Sequence, residues 1–172
     1  SGVPDAIGKI VQGALAVIAA KATPTFAILS TDMFAQYAYT MRDKTLEFLS
    51  TTSSLESGTL AAHCVHLDDE EIAIMKKHHI RVAHNPGSNM KLASGTAPVP
   101  RLREEGLCVA LGTDGASSNN NLDMLQEIQL AALLHKVTSY DPLAVPALEA
   151  LKMGTEYGAE AVGLKDVGRL EA

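Results

Sequence analysis

The sequence is poor in cysteine and in aromatic side chains. It contains two cysteines and no tryptophan, and aromatic residues make up 4% of the chain. Two cysteines with no spacing pattern do not make a disulfide framework, and they are typical of a protein kept in a reducing cytosol. We expect Cys64 and Cys108 to lie as thiols in buried strands.

Positive charge and long apolar runs are also scarce. Lys and Arg number 14 against 20 Asp and Glu, for a formal net charge of −6; nucleic-acid binding needs a basic surface instead. No apolar run is long enough to span a membrane. The apolar stretch 8–22 is interrupted by Lys9, Gln12 and Lys21 and follows no basic leader, which favours a helix over a signal peptide. The sequence therefore predicts a cytoplasmic protein without nucleic-acid or membrane partners.

Short apolar runs alternate with helical patterns along the chain. The predicted strands are 25–29, 59–63, 81–84 and 107–111. The predicted helices are 4–21, 33–49, 68–78, 98–105, 122–136, 141–153 and 155–162. Connections of helical length between strands favour a parallel sheet. We expect an α/β fold of about four parallel strands with flanking helices, in which the Ser/Thr/Gly-rich stretch 51–58 separates residues 1–58 from residues 59–172.

Three of these strands are followed or ended by polar side chains. His63 ends the second strand, His84 ends the third, and Asp114 comes just after the fourth. Ligands and metals of parallel α/β folds lie at the carboxyl ends of the strands, so three such residues in register predict a shared pocket. Taken singly, Asp114 is equally well explained as a turn or helix cap, and each histidine as a satisfied structural residue.

The remaining histidines do not indicate a metal site. His66 lies three residues beyond His63, and residues three apart on a strand face opposite sides, so the two are not expected to share a metal. His78 and His79 come at the end of a predicted helix, where a cap that complements the helix dipole is the better interpretation. His135 lies inside a predicted helix, where we expect it at the surface or in the core.

Three long segments resemble a known family. AAHCVHLDDEEI (61–72), AHNPGSNMKLASGTAPV (83–99) and ALGTDGASSNNNLDML (110–125) closely resemble the amidohydrolase superfamily. Within it they look most like the branch of 5-methylthioadenosine/S-adenosylhomocysteine deaminases and related chlorohydrolases. The segments keep the family's order, so the resemblance covers the chain from about Thr59 onward. It implies a metal-dependent (β/α)8 barrel of the TIM type, of which this chain matches the sixth, seventh and eighth strands.

The resemblance also implies roles for individual residues. Asp114 matches the last-strand aspartate that binds zinc and takes a proton from its water, and His63 matches the sixth-strand histidine that contacts the attacked group or the hydroxide. Ser118 matches a serine near the substrate's purine ring, and His84 matches a pocket histidine with a supporting role. The implied activity is hydrolytic deamination of an adenine-type base in a nucleoside-like substrate, with guanine or a chlorinated triazine as alternative substrates.

The sequence departs from the family pattern at the metal ligands. The family carries a His-x-His pair on its first strand, and no His-x-His occurs in this chain. The family also carries a fifth-strand histidine followed three residues later by a glutamate; the best counterparts here are Ile28 and Thr31, which can neither ligate zinc nor shuttle a proton at neutral pH. We therefore expect the chain alone to bind zinc weakly or not at all and to have no deaminase activity. A non-catalytic remnant or interaction module stays open as the alternative, whereas phosphate binding at the turn 112–115 is disfavoured by the charge of Asp114.

The length of the chain predicts a partial barrel. A full barrel typically needs about 250 residues, and the chain has 172. An open barrel exposes two strand edges and the side chains that normally fill its interior. We therefore expect a homo-oligomer or pairing with a complementary half-barrel, unless the N-terminal helix covers the open sheet.

Overall fold

The computed structural model describes residues 28–30 and 59–170. Within these residues the chain forms one parallel sheet in the order β1-β2-β3-β4. Its strands are β1 (Ile28–Ser30), β2 (Leu60–Ala62), β3 (Arg81–His84) and β4 (Val109–Leu111). Each strand pairs in parallel with the next along the chain, which is the pattern of a barrel wall. The predicted partial α/β barrel is confirmed, while the predicted helices 4–21 and 33–49 and the stretch 51–58 lie outside the described residues.

Helices follow the second, third and fourth strands. They are α1 (Asp69–Lys77), α2 (Pro86–Lys91), α3 (Val99–Glu104), α4 (Ala116–Asn119), α5 (Met124–Ser139), α6 (Ala147–Met153) and α7 (Glu156–Ala161). The short helices α2 and α4 were not predicted, because neither is long enough to show helical periodicity in the sequence. None of the helices in the described part of the chain is long and apolar enough to cross a bilayer.

Two of the predicted helices begin at aspartates that cap them. Asp68 and Glu71 form a reciprocal capping box at the start of α1, which satisfies two backbone donors that have no partner within the helix. Asp123 accepts from the backbone N–H groups of Leu125 and Gln126 at the start of α5. His78 is the C-cap of α1, as its position after the helical pattern predicted.

Three expectations about local structure were wrong. The helix predicted over 141–153 begins only at Ala147, because Pro146 lacks a backbone N–H and becomes its N-cap. Cys108 was expected in a buried strand, but it precedes β4 and is half-buried. Its Sγ points toward the backbone oxygen of Tyr157 at 3.6 Å in α7. Cys64 is buried as expected but lies in the loop after β2 instead of in a strand, because β2 ends at Ala62, and both cysteines are thiols.

The core lies between one face of the sheet and the helices. Ala61, Val82 and Val109 are register partners on adjacent strands and are all buried. They belong to one apolar cluster with Leu102 of α3 and Met153 of α6, which are both fully buried. Burying each large apolar side chain contributes roughly 1.5–3 kcal/mol, so this cluster fixes the sheet against its helices.

Helix α7 packs at the amino ends of β3 and β4. Arg81, the first residue of β3, donates from Nη1 to the backbone oxygen of Ala161 at 3.2 Å. The contact between Cys108 and Tyr157 lies at the start of β4 in the same way. The carboxyl ends of the strands, where parallel folds place their ligands, are therefore at the opposite side of the sheet from α7.

Candidate active site

Asp114 lies just beyond the carboxyl end of β4 in a left-handed backbone conformation, with φ of 61°. Aspartate tolerates this region better than most residues, and such conformations occur at turns and functional sites. Gly112 allows the chain to reach this position, because a Cβ there would lie 2.4 Å from Oδ1 of Asn85. The turn after β4 thus directs one carboxylate to the end of the sheet.

Two hydroxyl groups hold this carboxylate. Ser88 Oγ and Ser118 Oγ each donate to Oδ2 of Asp114 at 2.7 Å. Ser88 is fully buried in α2, whereas Ser118 is half-buried in α4, where its Oγ also lies 3.0 Å from the backbone oxygen of Gly115. The connections that follow β3 and β4, with their short helices α2 and α4, therefore meet at Asp114.

These contacts set the ionisation of Asp114. Burial alone would raise its pKa, but hydrogen bonds from Ser118, Ser88 and the Gly115 backbone outweigh burial and lower the pKa below its ordinary value. The positive form of His63 acts in the same direction. Asp114 is consequently a carboxylate at neutral pH, able to bind a cation or to accept a proton.

His63 faces the same carboxylate from the end of β2. It also has a positive φ, of 68°, and its side chain is 7% exposed. Asn89 Oδ1 accepts a hydrogen bond from His63 Nδ1 at 2.8 Å, which orients the ring. His63 Nε2 then lies 3.7 Å from Oδ2 of Asp114, longer than a direct hydrogen bond.

His84 lies at the same end of the sheet but faces a helix. It is fully buried, and its Nε2 lies 3.1 Å from Nε2 of His135 in α5. Burial lowers the pKa of His84 to about 3, with further contributions from His135 and His63. Burial, followed by the charge of Lys136, lowers the pKa of His135 to about 4. Both rings are therefore neutral at physiological pH, so the Nε2 that carries a hydrogen can donate it to the other Nε2.

The structure thus brings together three of the four residues singled out in the sequence. Asp114, Ser118 and His63 form one cluster, and His84 packs behind it against α5. His66 is exposed in the loop after β2. His135 is in the core, one of the two places expected for it, although its contact with His84 was not anticipated.

Three further residues of the site were missed in the sequence. Ser88 and Asn89 follow β3 within the segment AHNPGSN, so their position directly after a strand was an available signal. Glu127 is buried in α5 and accepts a hydrogen bond from the Gly87 backbone N–H at 2.8 Å. Its contact with the residue after Pro86 joins positions far apart in the sequence, and no local pattern indicates it.

The described residues do not form a complete zinc site. A catalytic zinc is held by about three protein ligands besides water. Among residues 28–30 and 59–170, no group of three His, Cys, Asp or Glu side chains could hold a metal ion. Asp114 and His63 supply two candidate ligands, and the Oδ2 atom of Asp114 already accepts two hydroxyl hydrogen bonds. A zinc site that included Asp114 would need ligands from outside these residues.

Parallel strands that pair in chain order, with a carboxylate and a histidine at their carboxyl ends, match the class of α/β barrels whose ligand site lies at that end. The profile described as "Amidohydrolase family" matches residues 26–172. The chain belongs to the amidohydrolase family, which confirms the resemblance carried by the three segments.

Curated relatives and solved structures agree with this assignment. A 5-methylthioadenosine/S-adenosylhomocysteine deaminase from Syntrophomonas wolfei is 62% identical over 113 residues, covering 65% of this chain and 26% of the relative. A 5'-deoxyadenosine deaminase from Methanopyrus kandleri is 51% identical over 126 residues, covering 73% and 29%. The crystal structure of an adenosine deaminase from Xanthomonas campestris with bound zinc gives a TM-score of 0.71 at 36% identity, covering 83% of this chain and 32% of that one. The chain thus spans roughly a quarter to a third of the length of these relatives.

Proposed function

We propose that residues 59–172 are the C-terminal half of the barrel of a hydrolase that removes the exocyclic amine of an adenine-type nucleoside. In this proposal residues 1–58, which match the family poorly, contribute a degenerate helix-strand-helix unit of the barrel before it. The observation that carries the proposal is the arrangement at Asp114. Its Oδ2 accepts hydrogen bonds from two serine hydroxyls and lies 3.7 Å from Nε2 of His63. The similarity to deaminases of adenine nucleosides supplies the substrate class.

The chemistry proposed for the chain's own residues follows from this arrangement. Hydrolytic deamination needs a group that takes a proton from the attacking water. The lowered pKa of Asp114 keeps it ionised at neutral pH, so its carboxylate is the proposed proton acceptor. His63, oriented by Asn89, is proposed to hold or polarise the reacting centre. Ser118 is half-buried beside Asp114, and we assign it to the substrate's base, while His84 supports the site from behind.

Zinc belongs to the proposal for the whole protein only. The zinc-bound adenosine deaminase from Xanthomonas campestris supports zinc for the family. Asp114 would supply one ligand, and the remaining ligands would come from outside the described residues. The chain by itself is expected to bind zinc weakly or not at all.

The test compares this chain with the product of the whole reading frame that contains its sequence. Both proteins are loaded with zinc, and their metal content is measured. Five compounds are then assayed: methylthioadenosine, S-adenosylhomocysteine, 5'-deoxyadenosine, guanine and a chlorotriazine. Ammonia release is followed for each of them, and chloride release is followed as well for the chlorotriazine. The proposal expects the whole product to contain bound zinc and to release ammonia from the adenine compounds. It expects this chain alone to do neither. Asp123→Asn, a change at an exposed helix cap, serves as the matched control for Asp114→Asn.

The outcomes separate the alternatives. Turnover of guanine or of the triazine, without turnover of adenine nucleosides, would reassign the substrate within the family. A whole product that binds zinc at no site and turns over none of the five compounds would contradict the proposal and favour a non-catalytic interaction module. Turnover by this chain alone, abolished by Asp114→Asn, would show that the missing ligands come from its own undescribed residues.

Assembly and location complete the proposal. We propose that the open edges of the sheet pair with a second copy or with a complementary half-barrel, because unpaired strand edges and exposed apolar side chains favour association. Sedimentation of a purified sample at several concentrations tests this, and a single monomeric species at high concentration would contradict it. The two thiols, Cys64 and Cys108, support a cytoplasmic location.

A further inference from the structure

A buried carboxylate connects the two short helices, α2 and α4, that carry the serines of the site. Glu127, in the first turn of α5, is 1% exposed. Its Oε2 accepts from the Gly87 backbone N–H at 2.8 Å, and its Oε1 accepts from Asn119 Nδ2 at 2.8 Å. Gly87 belongs to α2, which follows β3, and Asn119 belongs to α4, which follows β4. A single side chain thus bridges two separate strand-to-helix connections.

The local sequence is built around this contact. The N-cap of α2, Asn85, makes no side-chain capping bond, so the Gly87 N–H in the first turn has no partner within its own helix. Glu127 supplies that partner from a different helix. The approach requires glycine, since a Cβ at Gly87 would lie 2.3 Å from Oε1 of Glu127.

The bridged residues are the immediate neighbours of the two serines. Ser88 follows Gly87 and Ser118 precedes Asn119, and both hydroxyls donate to Oδ2 of Asp114 at 2.7 Å. We propose that Glu127 is a positioning residue that holds the Ser88 and Ser118 hydroxyls on the carboxylate of Asp114. It acts through Gly87 and Asn119, without contact to the substrate. The effect of Glu127 on catalysis rests on the proposed function, whereas its effect on the positions of α2 and α4 does not.

The orientation of Asn119 makes the proposal testable by an exchange of side chains. Asn119 Oδ1 accepts from the Leu122 backbone N–H at 3.2 Å, while its Nδ2 donates to Glu127. Glu127→Gln places the new side-chain amide N–H group against another hydrogen-bond donor, either Asn119 Nδ2 or the Gly87 N–H. Asn119→Asp places a second carboxylate against that of Glu127. In the double variant E127Q/N119D, the new amide donates to the new carboxylate, whose second oxygen still accepts from Leu122. The bridge is then restored with its two ends exchanged and with the same net charge.

The experiment uses the product of the whole reading frame, with two readouts. The first is kcat and KM for methylthioadenosine, measured per folded molecule well below the unfolding temperature. We expect E127Q and N119D each to lower kcat on the order of 10- to 100-fold, because small misplacements of positioned groups cost this much, with KM changed less than about threefold. The double variant should recover most of the lost kcat. Glu149→Gln is the matched control: it breaks a half-buried ion pair with Arg103, 2.7 Å long, and should lower stability while leaving kcat unchanged.

The second readout is backbone hydrogen exchange over residues 87–88 and 117–119, which needs no activity. We expect faster exchange in both single variants, slow exchange restored in the double variant, and no change there in Glu149→Gln. The positioning role would be overturned if the single variants kept the wild-type kcat, or if the double variant had a kcat as low as that of the single variants. If the wild type does not deaminate at all, the proposed function fails, and the exchange pattern alone then confirms or overturns the bridge.

Discussion

Acidification should weaken the fold through the buried pair His84 and His135. Their Nε2 atoms are 3.1 Å apart in the core, so charging both rings would place two positive charges side by side without water. The pKa of His84 is lowered to about 3 and that of His135 to about 4, from an ordinary 6.5. The unfolded chain therefore binds more protons than the folded chain between about pH 6.5 and pH 4. The stability contributed by the neutral pair is complete above pH 6.5 and is lost as the pH falls through this window.

The magnitude follows from the width of the window. Each pKa unit corresponds to about 1.4 kcal/mol. Between pH 8 and pH 5 each ring therefore lowers the free energy of unfolding by about 2 kcal/mol, and the two rings together lower it by about 4 kcal/mol. Domains are commonly stable by 5–15 kcal/mol, so a loss of this size is easily measured. The lowered pKa of Asp114 acts only below its ordinary value of 3.8, outside the range from pH 8 to pH 5.

The assay is urea unfolding followed by far-ultraviolet circular dichroism, since the chain has no tryptophan. The free energy of unfolding is compared between pH 8 and pH 5 within each variant, so that packing changes cancel. His84→Gln/His135→Gln should lose most of the pH dependence, while His66→Gln, at an exposed loop position, should keep it. A wild type equally stable at both pH values, or a double variant with the full loss, would refute the reasoning.

Three further predictions test the site and the core. Ser88→Ala and Ser118→Ala should each raise the pKa of Asp114, because each removes a hydrogen bond to its ionised form, and carboxyl-carbon NMR titration measures this; an unchanged pKa would contradict the assigned cause. Gly87→Ala should cost about 1–3 kcal/mol through the clash with Glu127, whereas Gly158→Ala, whose Cβ would meet its nearest atom at 3.7 Å, should be neutral or stabilising in urea unfolding. Leu102→Ala should cost about 2–5 kcal/mol as a buried cavity, and exposed Leu125→Ala less than about 0.5 kcal/mol; similar losses from both would contradict the position of the core.

The parallel sheet and the site's main residues could be predicted because their signals are local. Short apolar runs that end in His63 and His84, with Asp114 just after the last, indicate strands with polar carboxyl ends. The helix-capping aspartates Asp68 and Asp123 are equally local, since their partners lie within three residues. Family resemblance then selected a barrel among parallel folds.

The remaining features depend on packing between distant residues. His84 and His135 are 51 positions apart, and Gly87 and Glu127 are 40 apart. Nothing in either segment indicates its partner, because the side chains meet only after the helices have packed on the sheet. The proline at position 146 shortened a predicted helix for the opposite reason, since a local backbone constraint outweighed the apolar periodicity.

The central claim is that Asp114 is the proton-accepting carboxylate of an adenine-nucleoside deaminase. It is tested most directly by ammonia release from methylthioadenosine, measured for the zinc-loaded product of the whole reading frame and for its Asp114→Asn variant. The account predicts turnover by the wild type and a kcat lower by on the order of 100-fold or more in the variant, with the fold retained. A folded variant that releases ammonia at the wild-type rate would contradict it.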